Sequence, residues 1–246
     1  MADLIEAYFE AAAKGKHRLN GRPKRASTLS EERRYFDRHI KPRLGARPVA
    51  DLTRQEVQRL VDDIEGKAPG AARLTRNVIR QAYNFAIVHE TADKNPAART
   101  SVVKWKARER VLADDELRRV WAVCLDPDSA TDLDLSPGVA LALRLAMLTL
   151  QRGSEVCGLH AAEIDLAGKL WTIPGTRTKN HRTHVVPLSA AAVDAIKDAF
   201  ELAVGRRADK PSGYAFPSPR DRKKPITRRA LSRAMKRLGA AKGVDV

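Results

Sequence analysis

Residues 145–160 read LAMLTLQRGSEVCGLH. Apolar residues line one face of a helix, and the chain then presents Arg152, Gly153, Ser154 and Glu155 before Val156 and Leu159 resume the apolar pattern. A guanidinium keeps its proton under ordinary conditions, so a fixed charge stands at the edge of the most hydrophobic segment. As an i,i+3 pair, Arg152 and Glu155 are worth only a few tenths of a kcal/mol when exposed. An arginine on a rigid apolar helix, beside a glycine, is also pre-positioned for a planar, bidentate partner such as phosphate.

Outward from this stretch the hydrophobic period changes. Ser136 and Pro137 open the apolar helix 138–151, with proline suited to the first helical position, and Asp114 is placed to cap the helix before it. After Leu159, KLWTIPG and THVVPLS are strand-like runs joined by TRTKNHR, which predicts a hairpin or small antiparallel sheet with Lys179 at its tip between Arg177 and Arg182. Ser189 starts an alanine-rich helix to about Val204, YAFPSP (214–219) is a short extended piece, and Thr227 caps a last helix through Leu238. The first hundred residues read as four helices. The basic, glycine-bearing run KGKHRLNGRPKRA interrupts them, Thr28–Glu31 and Thr53–Glu56 form capping boxes, and KPRLGARPVADL is a turn-rich connector. A longer helix spans about 71–90 and ends at KNPAART, because a residue before proline resists the helical region. The expected architecture is mainly α with a small antiparallel β-sheet: a helical domain over 1–95, a linker over 96–111 and a mixed α+β domain over 112–246.

The 246 residues carry 46 Lys plus Arg against 30 Asp plus Glu, a net charge of +16, with 43% hydrophobic residues. Such a surplus points to a polyanionic partner, most often nucleic acid. Residues 1–105 hold 21 basic and 13 acidic groups, 106–204 hold 12 and 14, and 205–242 hold 13 and 2. Two basic blocks thus flank a nearly neutral, apolar middle. Arg22, Lys24, Arg25, Arg73, Arg76 and Arg80 in the first block, Arg177 and Arg182 at the hairpin, and Arg228 and Arg229 in the last block are the candidate DNA contacts.

Several function classes fall away. No apolar run approaches the ~18 residues of a membrane span, and the acid-bearing start is neither a signal nor a transit peptide. Cys124 and Cys157 are the only cysteines and form no CxxC or Cys/His cluster, which argues for a reducing cytoplasm and against structural zinc. His181 and His184 lack a nearby acid or thiol, so no metal site is expected, and His160 is simplest as helix-end packing. Trp105, Trp121 and Trp171 are too scattered for a single-strand stacking platform. Gly153 belongs to no GxGxxG or P-loop pattern.

Over nearly its whole length the chain resembles the tyrosine recombinases, in particular phage-type and genomic-island integrases. TLQRGSEVCGLHAAEIDL (149–166) is similar to the family's first box, LWTIPGTRTKNHRTHVVPLS (170–189) to the strand pair whose turn carries a lysine, and the capped helices of the first hundred residues to the core-binding (SAM-like) domain. The resemblance implies site-specific recombination that integrates or excises a phage or mobile element, without metal or cofactor. It implies a homotetramer on double-stranded attachment-site DNA, with accessory DNA-bending or directionality factors, acting at the bacterial nucleoid. It makes Arg152 the first catalytic arginine, Glu155 its acidic companion and Lys179 the catalytic lysine.

The family also carries a His-x-x-Arg box followed by a nucleophilic tyrosine. None of the six histidines here precedes an arginine by three, and the tyrosines are Tyr8, Tyr35, Tyr83 and Tyr214. The expectation is therefore a fragment, truncated before those boxes, that clamps duplex DNA and does not cut it. The alternative is an architectural or regulatory DNA-binding protein with no strand-transfer chemistry.

Overall fold

The computed structural model describes residues 1–246 apart from 20, 103–108, 127–132, 134, 205–212 and 245–246. Trp105, the middle of the expected linker and the 205–212 part of the last basic block lie outside the described residues. The chain forms two compact units, Met1–Glu109 and Arg110–Val246.

The first unit comprises α1 (Ala2–Ala13), α2 (Ala26–Tyr35), a π-helical turn (Phe36–Ile40), the short α3 (Lys41–Leu44), α4 (Arg54–Glu65) and α5 (Pro69–Val88). α5 buries Ala72, Thr75, Val78, Ile79, Ala82, Tyr83 and Ala86 on one stripe, as a helix with its apolar residues three and four apart must. Ile5, Tyr8 and Phe9 of α1, Phe36 and Ile40, and Val57, Leu60, Val61 and Ile64 of α4 complete this core. The Thr53–Glu56 capping box forms: the Glu56 N–H donates to Thr53 Oγ1 at 3.2 Å, and the Thr53 N–H donates to Glu56 Oε2 at 2.9 Å. That N–H holds the Glu56 carboxyl below its ordinary pKa.

Three local expectations are corrected here. Thr28–Glu31 does not cap, because α2 already begins at Ala26 behind an extended Arg25. Lys41–Leu44, expected in a connector, is helical, continuing α2 through the π turn. Residues 96–102 are not free linker: Ala97 is 0% exposed in the first core, and the buried Thr100 accepts from Arg76 Nε at 2.7 Å.

The second unit contains α6 (Asp114–Leu125), α7 (Pro137–Thr149), α8 (Gly153–Cys157), β1 (Ile164–Asp165), β2 (Leu170–Ile173), β3 (His184–Pro187), α9 (Ala190–Val204) and α10 (Arg228–Lys242). The sheet is antiparallel in the order β1-β2-β3. β2 pairs with β3 in the register Trp171↔Val186 and Ile173↔His184. Strand alternation turns Trp171, Ile173 and Val186 into a core shared with Val120, Leu141, Leu145, Val156, Leu159, Ile196, Phe200, Phe216 and Leu231. Cys124 and Cys157 are buried free thiols, and burial pushes Cys157 up to about 11.

Here too boundaries move. Asp114 is the first residue of α6, not its cap; Glu116 accepts from the Ala113 N–H at 2.9 Å instead. Ser136 and Pro137 do open α7, but the helix stops at Thr149 because Leu150 adopts a left-handed φ of 55°, a conformation that costs an L-residue roughly 1–2 kcal/mol. That reversal separates α7 from α8 and leaves Arg152 as the N-cap of α8. YAFPSP stays outside the sheet and makes only isolated bridges, His160↔Tyr214 and Pro217↔Pro225. Among the described residues no helix is long and apolar enough to cross a membrane.

Because only one of the two expected boxes caps a helix, Thr53→Ala is expected to lower stability by about 1 kcal/mol. Thr28→Ala is expected to stay within about 0.5 kcal/mol of the parent. Urea unfolding of both variants checks this; equal losses would contradict the assignment.

Candidate active site and nucleic-acid interface

α8 carries the first half of the site. The Glu155 side chain is 3% exposed, yet its carboxylate faces the start of its own helix, where the first N–H groups lack intrahelical partners. It accepts from the Arg152 backbone N–H at 3.1 Å and from Arg152 Nη1 at 3.3 Å. The anion is doubly suited to that place, since a helix N-terminus favours negative charge. The Arg152 side chain is 66% exposed. Its guanidinium is held by one edge, leaving further donors toward solvent.

Two glycines let arginine side chains from elsewhere in the sequence approach α8. A Cβ at Gly153 would stand 3.2 Å from Arg228 Cγ, so the aliphatic stem of Arg228 crosses the helix start one residue from Arg152. A Cβ at Gly158 would stand 2.8 Å from Arg177 Nη2. Arg177 Nη1 donates to both carboxylate oxygens of Glu163, and Nη2 donates to the Glu155 carbonyl. Glu163 is fixed in turn by the Trp171 indole N–H at 3.0 Å. The base of the β2–β3 hairpin is thus tied to α8. Thr178 is buried, with its hydroxyl 2.7 Å from the Arg182 carbonyl. Lys179 and Arg182 follow on the exposed turn.

The other candidate cations divide into two groups. Lys24 in the first unit has only 12% of its side chain exposed; its ammonium donates to the Tyr8 hydroxyl, to Glu32 at 2.6 Å and to Gln81 at 2.8 Å. Burial lowers its pKa, which Glu32 counteracts. Arg76 donates to Thr100 and to the Ala98 carbonyl. The expectation of surface cations is therefore corrected for Lys24 and Arg177, whose side chains are 12% and 24% exposed and find protein partners in place of water, while Arg76 is half-buried. Arg22, Arg73, Arg80, Arg228 and Arg229 are exposed, and Arg25 is half-buried. Sequence reasoning missed Glu163 and the seating of Arg228; both depend on contacts between segments distant along the chain, and no local pattern announces them.

The tyrosines are occupied structurally: the half-buried Tyr35 stacks on His39 with ring centroids 6.2 Å apart. Tyr8 and Tyr83 are buried in the first core, Tyr83 donating to the Val49 carbonyl at 2.8 Å. The Tyr214 ring meets His160 edge-on at 5.0 Å, and His160 Nδ1 accepts from the Ala162 N–H at 3.2 Å. His160 is thus a turn cap. Among the described residues no group of three or more His, Cys, Asp or Glu side chains is placed to hold a metal ion.

The model of the phage integrase family matches residues 110–246, and that of the phage integrase central domain matches residues 9–102. The prophage integrase IntZ of Escherichia coli is 29% identical over 215 residues, covering 87% of this chain and 50% of that protein. The tyrosine recombinase XerD of Rhizobium meliloti is 26% identical, covering 100% of this chain and 78% of that one. The chain spans about half the length of several curated relatives it matches, IntZ among them. Two solved structures have the same fold. A lambda integrase (75–356) dimer bound to a COC′ core site superposes with a TM-score of 0.71 at 21% identity, over 100% of this chain and 80% of that one. The Tn1549 transposon integrase in complex with circular intermediate DNA does so with a TM-score of 0.65 at 14% identity, over 98% and 78%.

Arg152→Ala is expected to leave the protein folded but to strand the buried Glu155 carboxylate, at a cost of roughly 1–3 kcal/mol. Adding Glu155→Gln removes the stranded charge and should return part of that loss. Chemical denaturation of the single and double variants reads it out; a double variant no more stable than Arg152→Ala would contradict the buried pairing.

Proposed function

The chain belongs to the phage integrase family, and we propose that it is the core-binding and catalytic portion of a site-specific recombinase that integrates or excises a mobile element. The observation that carries this reading is the exposed guanidinium of Arg152, held at the start of α8 by the buried carboxylate of Glu155. A group fixed in this way meets a phosphate without reorganising, which is the condition for stabilising charge that develops in a transition state. Arg152 binds a non-bridging oxygen of the scissile phosphate, and Glu155 holds Arg152. Lys179, exposed on the hairpin turn, donates the proton.

The chemistry balances without a redox partner. A tyrosine hydroxyl attacks phosphorus and gives up its proton to water, a 3′-phosphotyrosyl bond forms, the bond from phosphorus to the 5′ oxygen breaks, the lysine proton goes to that oxygen, and the lysine regains a proton from water. The ester keeps the energy of the cleaved bond for religation. Lambda integrase forms a tetramer bound to a Holliday junction in a structure of the same fold, which supports a tetramer on two duplexes as the working assembly here. The exposed cations Arg22, Arg73, Arg80, Arg182, Arg228 and Arg229 supply the phosphate contacts along the duplex.

A second reading has an observation of its own. Tyr8 and Tyr83 are buried in the first core, Tyr35 is stacked on His39 and Tyr214 is packed on His160. We infer that none of the chain's tyrosines is the nucleophile, so residues 1–246 alone bind duplex DNA and do not cleave it.

Duplex affinity is expected to fall steeply with salt, since backbone contacts release counterions; a flat plot of log affinity against log salt contradicts it. Incubation with a nicked attachment-site duplex that traps covalent intermediates should give no protein–DNA adduct on a denaturing gel. An adduct that vanishes with Tyr214→Phe would make Tyr214 the nucleophile and overturn the second reading. In a form of the protein carrying the family's tyrosine, Arg152→Ala should abolish cleavage.

A further inference from the structure

We propose that Arg177 is a positioning residue that acts through Lys179, locking the β2–β3 hairpin to the helix that bears Arg152 and making no contact with DNA. The proposal rests on the reading of Lys179 as the group that serves the scissile phosphate.

The turn between β2 and β3 runs from Pro174 to Thr183. A turn of that length has no intrinsic reason to hold a lysine in one place. Its order comes from two consecutive residues. Arg177 lays its guanidinium against Gly158 and divides its donors between Glu163 and the Glu155 carbonyl. Thr178, 3% exposed, lies within hydrogen-bond reach of the Gly175 and Arg182 carbonyls and closes the turn from inside. Lys179 is the next residue, and its side chain leaves a backbone that is anchored immediately before it.

The choice of partners is specific to arginine. One terminal nitrogen serves both oxygens of Glu163 and the other serves the Glu155 carbonyl, a span that the single point charge of a lysine ammonium does not offer in fixed geometry. The Glu155 carbonyl belongs to a five-residue helix, too short to satisfy its own carbonyls. One planar group meets both demands, and the missing Cβ of Gly158 leaves room for it. With Nη1 on a carboxylate and Nη2 on a carbonyl, Arg177 has its charge matched and its two terminal nitrogens engaged, so it adds little to phosphate binding. Its product is geometric: the same residue, Glu155, holds Arg152 with its carboxylate and Arg177 with its carbonyl. The phosphate ligand and the lysine turn are therefore referenced to a single point. Displacing a reacting group by about 1 Å costs on the order of 100-fold in rate.

The test uses a form of the protein that carries the family's tyrosine, and compares an ordinary cleavage substrate with one whose 5′ bridging oxygen is replaced by sulfur. Sulfur leaves without protonation, so it relieves any defect in proton delivery. The variants are Lys179→Ala, Arg177→Met with Glu163→Gln so that no carboxylate is stranded, and Gly158→Ala, which keeps every charge and pushes the guanidinium aside. Each of the Arg177 and Gly158 variants should slow cleavage of the ordinary substrate on the order of 100-fold and recover most of that with sulfur. Combined with Lys179→Ala, each should add no further loss. The salt dependence of duplex binding should not change slope.

Additive losses in the combined variants would overturn the proposal. So would sulfur rescue of Lys179→Ala without rescue of the Arg177 variant, since that is the pattern of a defect elsewhere. A salt slope lower by about 1 would make Arg177 a phosphate contact after all and equally overturn it. If Lys179→Ala itself is not rescued while the combined losses remain non-additive, the general-acid reading of Lys179 fails and the positioning role of Arg177 stands.

Discussion

Glu155 is the residue on which the second unit's functional surface depends. Its carboxylate is buried at the N-terminus of α8 and binds both the backbone and the side chain of Arg152, while its carbonyl receives Arg177 from the hairpin. A buried carboxylate is tolerable only when hydrogen-bonded and charge-compensated, and the helix terminus, one exposed guanidinium and one N–H supply that compensation. The pairing is asymmetric in exposure, 66% against 3%, so the cation remains free for a ligand while the anion is spent on structure. Flanking glycines extend the arrangement: Gly153 admits the stem of Arg228 and Gly158 the guanidinium of Arg177. A short helix is thereby packed by side chains that originate about twenty and about seventy-five residues later in the chain.

The same rule divides the basic residues. Net charge treats every lysine and arginine as a partner for polyanions, whereas the fold sets several aside. Lys24 sits among Tyr8, Glu32 and Gln81, where burial depresses its own pKa and pushes that of Tyr8 upward. Its role is to fasten the basic run after α1 to α2 and α5, leaving Arg22 exposed on the fastened loop. Arg76 likewise holds residues 98 and 100 against α5. In both units an internal cation stabilises the segment from which exposed cations project. The long-range field of the protein is set by all of them, but only the exposed ones present their charge directly to solvent.

Much of the architecture was legible in the sequence because its signals are local. Alternation in KLWTIPG and THVVPLS predicts the β2–β3 pair, the 3.6-residue stripe predicts α5, and Ser136–Pro137 marks the start of α7; each depends on residues within a few positions of one another. The errors have a common cause. Thr28 has the right spacing to Glu31, but a capping residue must itself be extended and outside the helix, and Arg25 takes that place, leaving Thr28 inside α2. Thr149 is followed by a left-handed leucine, which nothing in LTLQRG demands. Residues 96–102 look like linker by composition, yet Ala97 finds a place in the first core.

At the site, the sequence by itself determined which groups are available: an arginine beside a glycine, an acid three residues on, a lysine at a hairpin turn and a surplus of cations. The local capping geometry at the start of α8 brings Arg152 and Glu155 into contact with no help from elsewhere. Only the tertiary structure decided that Glu155 is buried while Arg152 is not, that Arg228 crosses Gly153, and that Arg177 closes on Glu163 and the Glu155 carbonyl instead of facing solvent beside Lys179. Arg177 and Lys179 are both cations of one hairpin, two residues apart and indistinguishable by composition. What separates them is desolvation, because a charge taken out of water must be matched by specific partners, and partners from distant segments exist only once the chain has folded.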